Sequence, residues 1–241
     1  MTAPEDDCII HPRKSRRERE IPPTGILCVN ASEAKEAVSI ILEAGGERRT
    51  LHNSHLVVAV DGGRFVAGPA LGAPAAALVL EKLIVLGARR IFFLGWCGAV
   101  CSTLPLGDIL VPAATVSGEG TSAYYTDSSK PEPSSALSSR VEEVLDTIGV
   151  PWRRGTVWST DAPYRESRKH LQKLHRTEQV VAVDMEFSAL CSVASFRSVD
   201  FAGAMVVSDE LWRANWRPGF KDELFTKHRR QVLKGFLEKE M

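Results

Sequence analysis

Short apolar runs alternate with amphipathic stretches along almost the whole chain. ILCVN, Ile26–Asn30, is a short apolar run and predicts a buried strand. SEAKEAVSIILEAGG follows and predicts a helix, with Ser32 as N-cap candidate, glutamates close behind it and Gly45–Gly46 as the stop. HLVVAVDGG and RFVAGPALG predict two strands around a DGG turn. The alanine- and leucine-rich APAAALVLEKLIVLGA predicts a helix ended by Gly87. IFFLGWCGAV then predicts a buried strand running into a glycine-bearing turn, and GDILVPAATV another strand. SSALSSRVEEVLDTIGV predicts an amphipathic helix, RRGTVWST a strand, RESRKHLQKLHR a polar helix and VVAVD a strand. MEFSALCSVASFR (helix), FAGAMVVSD (strand) and the amphipathic helix DELFTKHRRQVLKGFLEKE complete the series. Gly118–Pro133, rich in Gly, Ser, Thr, Tyr and Pro, is the predicted long loop.

Strands that alternate with helices call for a sheet covered on both faces. Ligands in such folds sit at the carboxyl ends of strands, and each candidate site below lies at such an end. The length of 241 residues suits one α/β domain, placed here at residues 25–241. Residues 1–24 are charged and proline-bearing and form an N-terminal arm, either flexible or docked on a neighbour. Its basic run from Arg13 to Arg19 is interrupted by Glu18 and reads as a solvated segment, not a nucleic-acid arm.

Composition narrows the class. Formal net charge is zero, so there is no general attraction to nucleic acid or to an anionic membrane. The five cysteines are an odd number without a CxxC pair, which predicts reduced thiols in a cytoplasmic protein. The N-terminus has no apolar signal-peptide core, and no apolar run reaches the roughly 18 residues of a membrane span. The six histidines show no metal-ligand spacing, so no metal is expected.

Five segments together resemble the purine and uridine nucleoside phosphorylase family, which includes related nucleosidases. They are GPALGAPAAALVLEKLIVLGARRIFFLGWCGAV (Gly68–Val100), LGDILVPAATVSGEGTSAYY (Leu106–Tyr125), VWSTDAPYRES (Val157–Ser167), VDMEFSAL (Val183–Leu190) and VVSDEL (Val206–Leu211). Each is weak alone, but their order and spacing match the family. The resemblance implies a three-layer α/β/α sandwich with a twisted mixed central sheet. It also implies a homo-oligomer, hexamer or dimer, with sites at subunit interfaces, a small-molecule nucleoside as ligand and no cofactor beyond inorganic phosphate as co-substrate. The helix beginning GPALGAPAAAL carries small residues suited to close packing on a partner.

Cleaving a nucleoside builds positive charge on the sugar and negative charge on the departing base. The site must hold the sugar diol, supply a proton or hydrogen bond to the base and position a nucleophile. Glu186, at the start of a helix, can accept hydrogen bonds from two adjacent hydroxyls, with Met185 packed against the sugar. The resemblance gives both residues that ribose-binding role. Asp209 ends an apolar strand, where burial can raise a carboxyl toward the range useful for an acid. The matching aspartate protonates the base in the purine branch of the family and is missing from the uridine branch. Arg213 and Arg217 follow, as support for Asp209 or as cover over the base, or else as solvated surface groups. Thr121, Ser122, Tyr124 and Tyr125 are candidates for the base pocket, with Tyr124 or Tyr125 as the stacking group. Asp161 and Arg165 are candidates for holding their loop or contacting substrate. The resemblance offers His11, in the arm, for the 5′ side of the sugar.

The nucleophile site departs from the family. Phosphorylases hold phosphate with a glycine and an arginine after the first strand and with an arginine and a Ser or Thr around the G-x-C-G turn that contains Gly95. Val29, Glu33, Phe93 and Trp96 occupy those places here. Each lost charge-assisted contact costs roughly 1.5–3 kcal/mol; Arg48, Arg49 and Arg64 are the candidates to compensate, and the resemblance implies that an arginine can also come from a neighbouring subunit. Three readings stay open: a phosphorylase with a rewired phosphate site, placed first; a nucleosidase in which Glu33, or Glu36, activates water; and a non-catalytic nucleoside-binding protein, with Trp96 blocking phosphate.

Overall fold

The computed structural model describes residues 7–238. Its elements run β1 (Thr24–Cys28), α1 (Ala31–Glu43), β2 (Glu47–Leu51), β3 (Ser54–Val58), β4 (Phe65–Gly68), α2 (Ala73–Leu86), β5 (Arg90–Ala99), β6 (Ile109–Gly118), α3 (Ser135–Ile148), β7 (Trp152–Thr160), α4 (Arg168–Glu178), β8 (Val180–Asp184), α5 (Phe187–Phe196), β9 (Asp200–Glu210), β10 (Arg217–Pro218) and α6 (Glu223–Glu238). The expected strand–helix alternation is present. β2 was not foreseen: its sequence, ERRTL, is charged and mostly solvated, as suits a sheet edge, and leaves no apolar signature.

All ten strands join one mixed sheet in the order β10-β9-β6-β7-β8-β5-β1-β4-β3-β2. β5 also pairs in parallel with β9 along its whole length, while its last two residues pair antiparallel with β8. The strands β5, β9, β6, β7 and β8 therefore close on themselves, and β1, β4, β3 and β2 extend from β5 as an open wing. Backbones approach closely at this closure. A Cβ on Gly203 of β9 would lie 2.2 Å from the Phe93 carbonyl oxygen of β5, so only glycine fits.

Two apolar layers cover the sheet. One packs α2 and α5 against Leu27, Phe65, Phe93, Phe201 and Met205. The other packs α1, α3 and α6 against Ile26, Phe92, Leu94, Ala204 and Val206. The alternation of Phe92, Phe93 and Leu94 between layers follows the period-2 pleat of β5. This is the three-layer arrangement with a mixed central sheet.

The arm, where described, docks on its own chain. Ile21 donates its N–H to Leu86 O at 2.9 Å, and Pro23 O accepts from Arg89 and Arg90 at 2.8 and 2.9 Å. Lys82 of α2 bonds Arg13 O and Glu18, each at 2.7 Å. Among the described residues no helix is long and apolar enough to cross a membrane.

Candidate functional site

The site is organised by Asp184, the last residue of β8. One of its oxygens accepts the Glu186 and Phe187 N–H groups at 3.0 and 2.7 Å, satisfying donors that the first turn of α5 leaves open. The other accepts the Ser159 hydroxyl, whose oxygen in turn takes the Ser188 N–H at 3.0 Å. This clamp fixes Glu186 at the N-terminus of α5, where the side chain is only 3% exposed. Its Oε1 accepts the Gly72 N–H at 2.6 Å, joining the starts of α5 and α2. Burial, then the neighbouring Asp184 carboxylate, pushes Glu186 upward, and burial likewise raises Asp184. Met185 beside them is half-buried.

Asp209 reaches the same region from β9. In the sheet ladder Gly98 of β5 lies between Val183 of β8 and Asp209 of β9. A Cβ at Gly98 would come within 3.1 and 3.4 Å of the Asp209 oxygens. The buried Cys97 thiol is raised first by burial and then by the charges of Asp209 and Asp184. Asp209 and Asp184, the residue that holds the Glu186 N–H, thus both lie near the Cys97 thiol. Asp209 accepts the Ser208 hydroxyl at 2.7 Å and the Trp216 indole N–H at 2.8 Å. The arginines foreseen as its support go elsewhere. Arg213 and Arg217 both bond the buried Glu210, Arg217 at 3.1 Å, and Arg213 also stacks over Trp212. Strand alternation turns Glu210 to the face opposite Asp209 and takes both cations with it.

Glu166 was not singled out from sequence. It is half-buried in the turn before α4, and burial, followed by the charge of Asp209, pushes its carboxyl up to about 7. An acid within the TDAPYRES segment was its only local signal. Asp161, at the start of that turn, accepts the Gly120 N–H at 2.8 Å, and the Arg165 side chain is exposed.

The predicted base-side loop is built around another residue that sequence reading passed over, Glu119. This buried carboxylate accepts Ser117 at 2.8 Å, Ser188 at 2.9 Å, the Ser122 hydroxyl, and the N–H groups of Thr121 and Ser122 at 2.6 and 3.0 Å. Ser122 is committed to this network. Tyr125 is half-buried and packs edge-on against Phe196, while Tyr124 is 77% exposed. Thr121, Tyr124, Tyr125 and His11 line a cavity of about 1030 Å³ between the arm, α2 and the β6–α3 loop. Glu186 and Asp209 do not line it.

The nucleophile end differs from expectation. Glu33 is fully buried on α1, bonded to Arg229 of α6 at 3.1 Å and to the Ser32 hydroxyl at 2.7 Å, in the α1/α6 layer. Glu36 shares Arg229 at 3.4 Å. Neither is free to activate water beside Glu186. Trp96 also turns to the α6 layer, packing on Phe220 and Phe225 with ring centroids 5.9 and 5.2 Å away. Gly95 stays on the Glu186 side, and the Phe93 ring takes up the space a side chain would need, 2.4 Å from an added Cβ. Phe93 packs edge-on against Phe187 at 5.2 Å, behind Glu186. Arg49 bonds Glu20 O and Glu47, and Arg64 caps the end of α6 through the Phe236 and Leu237 carbonyls. Arg48 lies exposed on β2. Glu33→Gln is therefore expected to leave nucleoside turnover unchanged and to lower unfolding free energy by about 1–3 kcal/mol, since it weakens a buried pair. Loss of turnover at unchanged stability would restore Glu33 to the site. Among the described residues no group of three or more His, Cys, Asp or Glu is placed to hold a metal.

The sequence pattern of the phosphorylase superfamily matches residues 25–238. A DeoD-type purine nucleoside phosphorylase of Brevibacillus brevis is 26% identical over 149 residues, covering 61% of this chain and 63% of the relative. A guanosine phosphorylase of Halorubrum lacusprofundi is 24% identical over 163 residues, 66% of each chain. The chain thus spans just under two thirds of the length of these relatives. In fold it is similar to a purine nucleoside phosphorylase from Toxoplasma gondii in complex with immucillin-H, with a TM-score of 0.79, 18% identity and 90% of both chains covered. A futalosine hydrolase mutant of Helicobacter pylori gives 0.75 at 19% identity, with 90% of this chain and 99% of the other covered.

Proposed function

The chain belongs to the phosphorylase superfamily, and from that premise we propose that it cleaves the N-glycosidic bond of a purine-type nucleoside and releases the free base. The observation that supports this reading is the sheet ladder, which sets Asp209 of β9 and Val183 of β8 on either side of Gly98; Val183 lies one residue before Asp184, whose carboxylate holds Glu186 at the start of α5. As the glycosidic bond breaks, positive charge on the sugar strengthens hydrogen bonds from the diol to the Glu186 carboxylate, and Met185 packs beside it. At the far end the Asp209 region meets the charge developing on the base. Turnover draws Glu186 into its ionised form, against the upward push of its buried surroundings, and the diol hydrogen bonds offset that cost.

For the nucleophile, the apolar surroundings of Phe93 and Val29 favour water over a phosphate dianion, because a dianion needs arginine forks or clustered amides. In the hydrolytic step the water oxygen bonds to C1′, the C1′–N electron pair leaves with the base, the base takes a proton from the acid at its edge, and the proton the water loses passes through solvent to restore that acid. Phosphorolysis is the second reading, supported by the names of the two sequence relatives. A second copy of this chain is the proposed partner, at the α2 face beside the arm, where Leu71, Leu78 and Tyr124 are exposed.

Base release from adenosine, inosine and guanosine, followed with and without inorganic phosphate, tests the proposal. Release at the same rate in both conditions, with ribose as the second product, is expected. Release only with phosphate, with ribose 1-phosphate formed, establishes the phosphorylase reading. No release from any purine nucleoside overturns glycosidic cleavage.

A further inference from the structure

One buried hydrogen-bond chain joins the carboxyl ends of β6, β7 and β8, and Glu119 stands at its start. Glu119 follows β6. Its Oε2 takes the Thr121 and Ser122 N–H groups at 2.6 and 3.0 Å, which folds the base-side loop around it. Its Oε1 takes the hydroxyls of Ser117 in β6, Ser122 in the loop and Ser188 on α5, the last at 2.9 Å. Ser188 is the link to the sugar side. Its N–H goes to the Ser159 hydroxyl at 3.0 Å, Ser159 bonds Asp184, and Asp184 holds the Glu186 N–H at 3.0 Å. One turn further along α5 the Ser192 hydroxyl lies 2.9 Å from both the Ser122 hydroxyl and the Ser188 carbonyl. Gly120 ties the same loop to the end of β7 by giving its N–H to Asp161 at 2.8 Å. Every side chain on the path from Glu119 through Ser188, Ser159 and Asp184 to Glu186 is buried.

A buried carboxylate is a costly way to hold a loop. Apolar side chains of similar volume can fill such a space at least as well, and a buried charge is compensated only when its lone pairs are matched. What a matched network adds is direction. Each bond fixes a distance and an angle, so loop and helix are held in one relative setting. Glu186 stands two residues before Ser188, and its own N–H belongs to the same chain. A carboxylate grips a sugar diol well only from the right place, and a misplacement of about 1 Å costs up to roughly a hundredfold in rate.

We propose that Glu119 is a positioning residue: through Ser188 it sets the first turn of α5 and so aims Glu186 at the 2′ and 3′ hydroxyls of the sugar. This rests on the glycosidic-cleavage reading above and adds the residue that lets the site tell ribose from 2′-deoxyribose. The hydrogen bonds of Glu119 run to protein groups, and it acts through Glu186.

The test compares the full-length protein with its Ser188→Ala, Glu119→Ala and Glu119→Gln variants. The substrates are whichever of adenosine, inosine and guanosine is cleaved fastest, and its 2′-deoxy form. The wild type is expected to favour the ribonucleoside in kcat/KM. That preference should fall roughly tenfold in Ser188→Ala, the worth of one hydrogen bond to a charged group. Glu119→Ala should lose it as well, and Glu119→Gln, which can still bond the loop and Ser188, should keep it. Ser188→Ala leaves Glu119 its other donors, so the test stays decisive if Glu119→Ala does not fold. A purely structural role would slow both substrates together. No preference for ribose in the wild type, or a preference within about threefold of the wild type in Ser188→Ala, overturns the proposal. Amide hydrogen exchange gives a reading that needs no turnover: the Glu186 and Phe187 N–H groups should exchange roughly tenfold faster in Ser188→Ala than in the wild type. If the wild type cleaves no nucleoside, the cleavage reading fails and exchange alone decides. Faster exchange then supports the link from Glu119 to Glu186, and unchanged exchange overturns it.

Discussion

Asparagine at position 209 is expected to cut base release by roughly 10²–10⁴-fold, the usual range for removing a positioned acid–base group. The substitution is nearly isosteric, and the Asn side-chain oxygen can still accept the Trp216 indole that Asp209 binds at 2.8 Å. Melting should therefore change little while kcat falls. The pH profile gives a second, independent reading. Glu166 is raised to about 7 by burial and, after that, by the charge of Asp209. Glu166 gains a negative charge as pH rises through that value, and such a charge beside Asp209 and the departing base should slow base release on the alkaline side near pH 7. Removing the Asp209 charge lowers Glu166, so the alkaline limb of Asp209→Asn should shift to lower pH. Base release within about threefold of the wild type, with an unmoved limb, would remove Asp209 from the reaction and leave it a structural strand-end residue.

The largest expected stability effect belongs to Glu119. Alanine there strips the acceptor from three serine hydroxyls and two backbone N–H groups at once. Hydroxyls rotate to new partners, but the Thr121 and Ser122 N–H groups cannot. The expected cost is about 3 kcal/mol, a fall in Tm of roughly 6–12 °C for a chain of this size. Glutamine keeps an oxygen for the two N–H groups and an amino group that serine oxygens can accept, so it should lose about 1 kcal/mol or less. The pH dependence has a definite sign. Burial by itself would raise Glu119, but the hydrogen bonds from Ser122, Ser117 and Ser188 outweigh it and hold the group below its ordinary value of 4.5. Its stabilisation is therefore complete above the unfolded value and lost as pH falls through the folded one. Glu119→Gln should flatten that acid limb. Equal melting of Glu119→Ala and wild type would show that the network contributes nothing.

The expectations that held share a local origin. Apolar runs such as Ile26–Asn30 and Phe201–Val207 are too short and too apolar for anything but buried strands, and Gly87 ends its helix through backbone geometry that neighbouring residues already fix. The readings that changed concern side-chain direction. Glu33 and Trp96 were placed at the nucleophile by alignment along the chain. The pleat of β5 and the docking of α1 on α6 turn both to the other layer, where Arg229, Phe220 and Phe225 hold them. A bulge between Cys97 and Gly98 then shifts the register of β9 and sets Asp209 opposite Gly98.

From the sequence alone came the strand–helix order, the two-sided sheet and the candidate acids Glu186 and Asp209, because periodicity and short motifs are properties of consecutive residues. Only the tertiary structure decided which groups share a face. The closure of β5, β9, β6, β7 and β8 brings Glu166 to Asp209 across 43 positions of chain, sends the arginines to Glu210 and gathers donors around Glu119. Contacts of that kind depend on strand register and helix docking, which are set by the packing of distant apolar faces and leave no trace in any local stretch of residues.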